Sequence, residues 1–118
     1  MSMICPITGT CWNAASASAV NYSSFLASTG TWATTDTHMS VAPCDGVIQN
    51  LYVKLQTAPN GAVKQFVFAV VVNGVASALT CTIANTATTG NDTVHQVSVK
   101  AGDTISFIST PTGTPSVT

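Results

Sequence analysis

Between Phe66 and Ile83 the chain reads FVFAVVV-NG-VASALTCTI, two apolar runs joined by Asn73-Gly74. Asn-Gly tolerates the positive φ angles of a two-residue type I′ turn better than almost any other dipeptide, so a β-hairpin is predicted here. Closing the turn at Asn73-Gly74 predicts Val72 opposite Val75, Val70 opposite Ser77, Phe68 opposite Leu79 and Phe66 opposite Cys81. One face then carries Phe66, Phe68, Val70, Val72, Val75, Leu79, Cys81 and Ile83. The two strands agree on which face is apolar, and a one-residue slip would reverse every side chain. The other face reads Val67, Ala69, Val71, Ala76, Ala78, Thr80 and Thr82. It is small and mildly apolar, so it is expected to be covered by a second layer or by another subunit.

The chain has 118 residues, the size of one domain with a core of its own. Its charges are Lys54, Lys64 and Lys100 against Asp36, Asp45, Asp92 and Asp103, with neither Arg nor Glu. At 6% charged, against about a quarter in ordinary soluble domains, its exposed strand faces must be made of Ser, Thr, Asn and Gln. Nucleic acid is not expected as a partner, because phosphate binding needs a Lys/Arg patch. Membrane-surface binding through a basic helix is disfavoured on the same ground. A weakly charged surface suits permanent packing against neighbours, since hydroxyls and methyls cost less to desolvate than ions. An oligomer is therefore expected. Met1 to Ile7 lacks a basic n-region and a sustained apolar run, and no stretch is long enough to span a bilayer, so assembly in a cytoplasm is expected.

Cys5, Cys11, Cys44 and Cys81 lack paired CxxC spacing, and His38 and His95 stand far apart, so neither a metal nor a cofactor is predicted. Cys81 falls on the apolar face, where a thiol acts as a small hydrophobe. Cys5 and Cys11 bracket a loop with Pro6 and Gly9, compatible with a local disulfide or with free thiols.

Residues 1–44 read as an N-terminal arm and irregular first strands, with Val20–Leu26 the best strand candidate and Thr31–Thr34 a short one. Ala14–Val20 is open between loop and helix, because its Ser residues compete for backbone hydrogen bonds. Trp12, Tyr22, Phe25 and Trp32 are expected to plug the end of a sandwich. Residues 45–118 read as the body of a single domain. Val47–Leu55 alternates with Leu51, Val53 and Leu55 inward and Asn50, Tyr52 and Lys54 outward; Ile48 breaks that alternation, which predicts a bulge or twist near Gln49-Asn50. Ala84–Asn91 is predicted as a loop, Asp92–Val99 as a strand and Thr104–Ser109 as the last strand. Thr110–Pro115, with two prolines, is expected to leave the sheet. Short strands, polar turns and no long helix predict an all-β antiparallel β-sandwich, with a jelly roll as the preferred topology and an immunoglobulin-like sandwich as the alternative.

The second half of the chain also resembles a small jelly-roll module of bacteriophage virion structural proteins. The resemblance rests on Gly46-Val47-Ile48 with Asn50-Leu51, Ala58-Pro59-Asn60-Gly61, Asn73-Gly74-Val75, Leu79 to Ile83, and Val97-Ser98-Val99 before Ala101-Gly102-Asp103. It implies a homotrimeric piece of a virion, either a capsid decoration (cement) protein or part of a tail fibre or receptor-binding tip. A module behind only a short arm favours decoration, with the major capsid protein as partner. On that reading Met1, Ser2, Met3, Ile4, Pro6 and Ile7 belong to an arm that reaches neighbouring subunits, and Val67, Ala69 and Val71 pack between protomers.

Two other classes compete. A receptor-binding module for a host-surface glycan would use an exposed aromatic as a stacking platform, with Tyr52, Trp12 and Trp32 as candidates. An enzyme is not predicted: Asp36, Asp45, Asp92 and Asp103 all fall in predicted loops, and a Ser-His-Asp site would have to assemble around His38 or His95 by long-range folding. His95 is expected on the outer face of its strand as an ordinary polar residue.

Overall fold

In the computed structural model, which describes residues 15–24, 32–37 and 39–116, Asn73 and Gly74 take left-handed φ angles of 52° and 78° and close the predicted hairpin. Among the described residues there are seven strands and no helix: β1 (Asn21–Ser24), β2 (Ser40–Val41), β3 (Gly46–Lys54), β4 (Gln65–Val72), β5 (Val75–Ala84), β6 (Thr89–Val99) and β7 (Thr104–Thr112). The hairpin is β4–β5. Val72 pairs with Val75 as predicted, but Phe68 pairs with Cys81 and Phe66 with Ile83 rather than with Leu79 and Cys81. Between Ala69↔Thr80 and Val71↔Ala76, β5 sets Ser77, Ala78 and Leu79 against Val70 alone. The two extra residues keep every side chain beyond them on its predicted face, since the side-chain period is two. The Ser77 hydroxyl seals this bulge: it donates to the Val70 carbonyl at 2.7 Å and accepts the Leu79 N–H at 3.3 Å.

The irregularity predicted near Gln49-Asn50 is present, but the extra residues that make it a bulge belong to the partner strand β6. Between Gln49↔Gln96 and Leu51↔Asp92, Asn50 alone stands against Thr93, Val94 and His95 of β6, and Asn50 takes φ 58°. Asparagine suits that position because its short polar side chain tolerates the left-handed region.

All the ladders are antiparallel, and they nest: β4 with β5, β3 with β6, β2 with β7. Folding that ribbon over sets β7 beside β4, giving a five-stranded sheet in the order β1-β7-β4-β5 with β2 also on β7, and a two-stranded sheet of β3 and β6. The chain is an antiparallel β-sandwich built on this nested pairing. Because β1 and β2 are ladder partners of β7, the early strands are built into the same sheet as the body. The segments 1–14 and 25–31, with the N-terminal arm, Trp12 and Phe25, lie outside the described residues.

Between the sheets, Phe66, Phe68, Val70, Leu79, Cys81 and Ile83 meet Ile48, Leu51, Leu55 and Val99. Phe68 stacks on Phe107 with centroids 5.6 Å apart and on Phe66 at 5.9 Å, and Trp32 lies 6.4 Å from Phe68 and 6.5 Å from Phe107. Full burial of side chains of this size is worth about 1.5–3 kcal/mol each. Trp32 thus plugs the sandwich as expected. Leu51 and Leu55 are buried, with Val53 half-buried against the core.

Three further expectations need correction. Val75 is 68% exposed at the hairpin tip rather than covered with the rest of the apolar face. The loop expected over Ala84–Asn91 shrinks to Asn85–Thr88, since β5 and β6 run on through Ala84 and from Thr89. β7 does not end at Ser109 but continues to Thr112, with Pro111 opposite Phe66 and Thr112 opposite Gln65. Proline is tolerated there because β1 flanks β7 only as far as Ser109, leaving one side open for the missing donor.

Candidate functional site

The bulge in β6 presents the most perturbed ionisable group among the described residues. Asp92 is 8% exposed and lies opposite Leu51, on the inward side of its strand. Its Oδ1 accepts the N–H groups of Val94 and His95, each at 3.0 Å, and its Oδ2 accepts the N–H of Thr80 in β5 at 3.1 Å. His95 Nδ1 completes the set at 2.8 Å from Oδ2. The His95 N–H, followed by those of Val94, the His95 ring and Thr80, holds the carboxyl well below the usual carboxylate range against the opposing effect of burial. Asp92, expected at the boundary between a loop and the strand Asp92–Val99, therefore stands inside β6, which begins already at Thr89.

His95 does lie on the outside, with its side chain 56% exposed, but as the partner of Asp92 rather than as a lone polar residue. An Asp-oriented imidazole is two thirds of a Ser-His-Asp arrangement. The third member, a nucleophile at Nε2, is not among the contacts that define this pair, which are those of Asp92 with His95 Nδ1 and with the backbone of Thr80, Val94 and His95. Cys81, on the neighbouring strand, is 4% exposed; burial first, and then the charge of Asp92, push its thiol up to about 11. A thiol so protonated is inert. No cluster of three or more His, Cys, Asp or Glu able to hold a metal occurs among the described residues. Chemically, the arrangement is a latch between β5 and β6. His38 lies outside the described residues.

A second polar cluster closes one end of the sandwich. The Asn73 amide donates to Asp103 Oδ1 at 3.0 Å while its oxygen accepts the Thr104 N–H at 3.0 Å. Asp103 Oδ2 accepts the Lys100 N–H at 2.8 Å, and Asp45 accepts the Ala101 N–H at 2.8 Å. The Lys100 N–H, the Asn73 amide and the Lys100 charge, in that order, hold the Asp103 carboxyl below its usual range. Asn73 thus shapes its own turn and ties that turn to the β6–β7 connection.

The residues expected to pack between protomers do not share one environment. Ala69 is 5% and Val71 2% exposed within the chain itself, and Val67 is half-buried, so only Val67 retains appreciable surface to offer a neighbour. Met1, Ser2, Met3, Ile4, Pro6 and Ile7 lie outside the described residues. Tyr52 is 70% exposed on the outer face of β3, opposite Asn91. Cys44 is a free, exposed thiol and Cys81 a free, buried one; Cys5 and Cys11 lie outside the described residues.

Asp92 escaped the sequence reading although a signal for it exists. The break in alternation between Ile48 and Leu51 requires a matching break in the strand that pairs with β3, and that break turns Asp92 inward. Charge has a pattern as well. β1, β2, β4, β5 and β7 contain no charged residue, so all seven charges of the chain lie off the five-stranded sheet. Compared with known proteins, the chain matches no protein-family model, no curated protein and no solved structure.

Proposed function

We propose that this chain is a virion structural protein of the capsid-decoration kind, which stabilises a phage head by bridging major capsid subunits as a homotrimer. The observation that carries the reading is that the five-stranded sheet holds no charged residue, so the part of it left exposed around Val67 and Thr82 can be desolvated against a neighbour without stripping water from an ion. The resemblance of residues 46–103 to a phage jelly-roll module supplies the setting. Bridging works by multiplication: small interfaces, weak singly, are repeated over a closed lattice and act together. Thr82 is exposed and pairs with Val67, so both stand on the face left available at the edge of that sheet.

The test is to count this chain against the major capsid protein in purified virions by gel electrophoresis and mass spectrometry. Hundreds of copies are expected. A handful per particle would move the protein to the tail, and absence would remove it from the virion. In particles that carry it, Thr82→Lys should lower occupancy while leaving the isolated protein folded.

A second reading, a tip domain for a host-surface glycan, is favoured by one observation. Tyr52 presents its ring outward beside the amide-bearing Asn91, with Gln49 and Gln96 paired on the same face. Glycan-array binding that disappears in Tyr52→Ala would support it, and no binding by the unaltered protein would end it.

A further inference from the structure

Asn-Gly occurs twice in this chain, at Asn60-Gly61 and at Asn73-Gly74, and both asparagines adopt left-handed backbone, with φ 63° and 52°. Glycine following asparagine leaves the backbone nitrogen unshielded by a Cβ, and that nitrogen can attack the asparagine side-chain carbon. Whether it does depends on the freedom of the side chain to turn toward it. The two sites differ in that respect.

At Asn73 the side chain is tied at both ends. Nδ2 donates to Asp103 and Oδ1 accepts both the N–H of Thr104 and, at 3.4 Å, its hydroxyl. Asp103 is itself fixed by the Lys100 N–H. Attack by the Gly74 nitrogen would first require these bonds to break. At Asn60 the residue is exposed, and its side chain makes no hydrogen bond with any described residue. The main chain around it is nevertheless anchored. The Asn60 N–H donates to Asn85 O at 2.7 Å, and Gly61 O accepts the Lys64 N–H at 3.1 Å. With its amide oriented to donate, Asn85 also reaches Gly61 O at 2.7 Å and Ala62 O at 3.0 Å.

We propose that Asn60 is a site of spontaneous deamidation in the folded protein, and that the Asn73 side-chain bonds protect the otherwise equivalent Asn73-Gly74. In the reaction a bond forms between the Gly61 nitrogen and Asn60 Cγ, and the Cγ–Nδ2 bond breaks. Ammonia leaves with the proton lost by the glycine nitrogen, and a succinimide results. Water then opens the ring at one of its two carbonyls to give aspartate or isoaspartate. Either product adds a negative charge to a chain whose formal net charge is −1. Isoaspartate also lengthens the main chain between two anchored points, the Asn60 N–H on Asn85 and the Gly61 carbonyl on Lys64. That turn also carries Pro59, whose carbonyl accepts the Ser116 N–H at 2.9 Å, so strain introduced there falls on the anchor of the C-terminal segment.

The experiment incubates the full folded chain in mildly alkaline buffer, with a second sample held unfolded in urea, and follows both by tryptic peptide mapping. Cleavage after Lys54 and Lys64 isolates Asn60 as the sole asparagine of its peptide. In the folded sample Asn60 should convert several-fold faster than Asn73, and in urea the two rates should converge, because the sequence chemistry is the same. Asp103→Ala should speed conversion of Asn73 in the folded chain and leave Asn60 unchanged; Gly61→Ala, whose Cβ would displace only the flexible Lys64 side chain, should slow Asn60. Equal or faster conversion of Asn73 in the folded chain, or an Asn60 that keeps its amide while Asn73 converts in urea, would overturn the proposal.

Discussion

Asp92 Oδ2 lies 3.1 Å from the backbone nitrogen of Thr80, so a carboxylate of the two-stranded sheet occupies a donor of β5, the last strand of the five-stranded sheet. An unpaired edge N–H is a template for another chain, and a charged side chain set against it is one way to blunt that edge. The same carboxylate holds the β6 bulge through Val94 and His95. One residue thereby fixes the register of β3 with β6 and the approach of the two sheets.

Asp92→Asn should destabilise the fold at neutral pH, because the amide sets a donor where the carboxylate received N–H groups. Asp92 and Asp103 both have folded-state carboxyls held below their ordinary values. The unfolded chain therefore binds their protons first as pH falls, and their contribution is complete above the ordinary carboxylate value of about 4 and lost progressively below it. Urea midpoints measured from neutral to acid pH should decline for the unaltered protein and decline less steeply for Asp92→Asn. Parallel curves would show that Asp92 is not the group responsible.

Ser77→Ala removes the hydroxyl that both donates to Val70 O and accepts the Leu79 N–H. A loss of about 1–2 kcal/mol is expected, since two backbone groups lose a partner at a part-buried site. Denaturant unfolding of the variant measures it, and a change below about 0.5 kcal/mol would mean that the bulge is held by its backbone alone.

Asn73 can be separated into its two roles. Asn73→Gly keeps the left-handed turn and loses the bonds to Asp103 and Thr104, with an expected cost of about 1 kcal/mol. Asn73→Ala loses the same bonds and must also hold φ near 52°, adding about 1–2 kcal/mol. Thermal melts of the pair should rank alanine below glycine. The reverse order would mean that the turn relaxes to another type.

Thiol labelling distinguishes the two described cysteines. Cys44 is exposed and should react with a maleimide in the native protein, while Cys81, 4% exposed and with its thiol pushed up to about 11, should react only as the protein unfolds. Peptide mapping of labelled protein over a urea series reads both at once. Native-state labelling of Cys81 would indicate that β5 and β6 separate locally without global unfolding.

What could be read from the sequence was local and periodic. Asn73-Gly74 set the turn, alternation over Phe66–Ile83 set which face is buried, and the Ile48–Leu51 break placed the irregularity in the β3–β6 ladder, because each depends on residues within a few positions of one another. The exact partners across β4 and β5 were not legible, since Ser77 gives no local sign that two extra residues follow the turn before the ladder resumes. The Asp92 latch was hidden for a related reason: the residues that lower its pKa lie on its own bulge and on another sheet, brought together only when β6 folds back beside β5. Pro111 misled in the opposite direction, because whether a missing donor matters depends on whether a neighbouring strand lies on that side. The sequence by itself determined the turns, the apolar faces and the all-β class through short-range sterics and side-chain period. Tertiary structure alone decided which edges are blunted, which of Val67, Ala69 and Val71 stays accessible, and where Asp92 points, because those depend on how sheets pack across long stretches of chain.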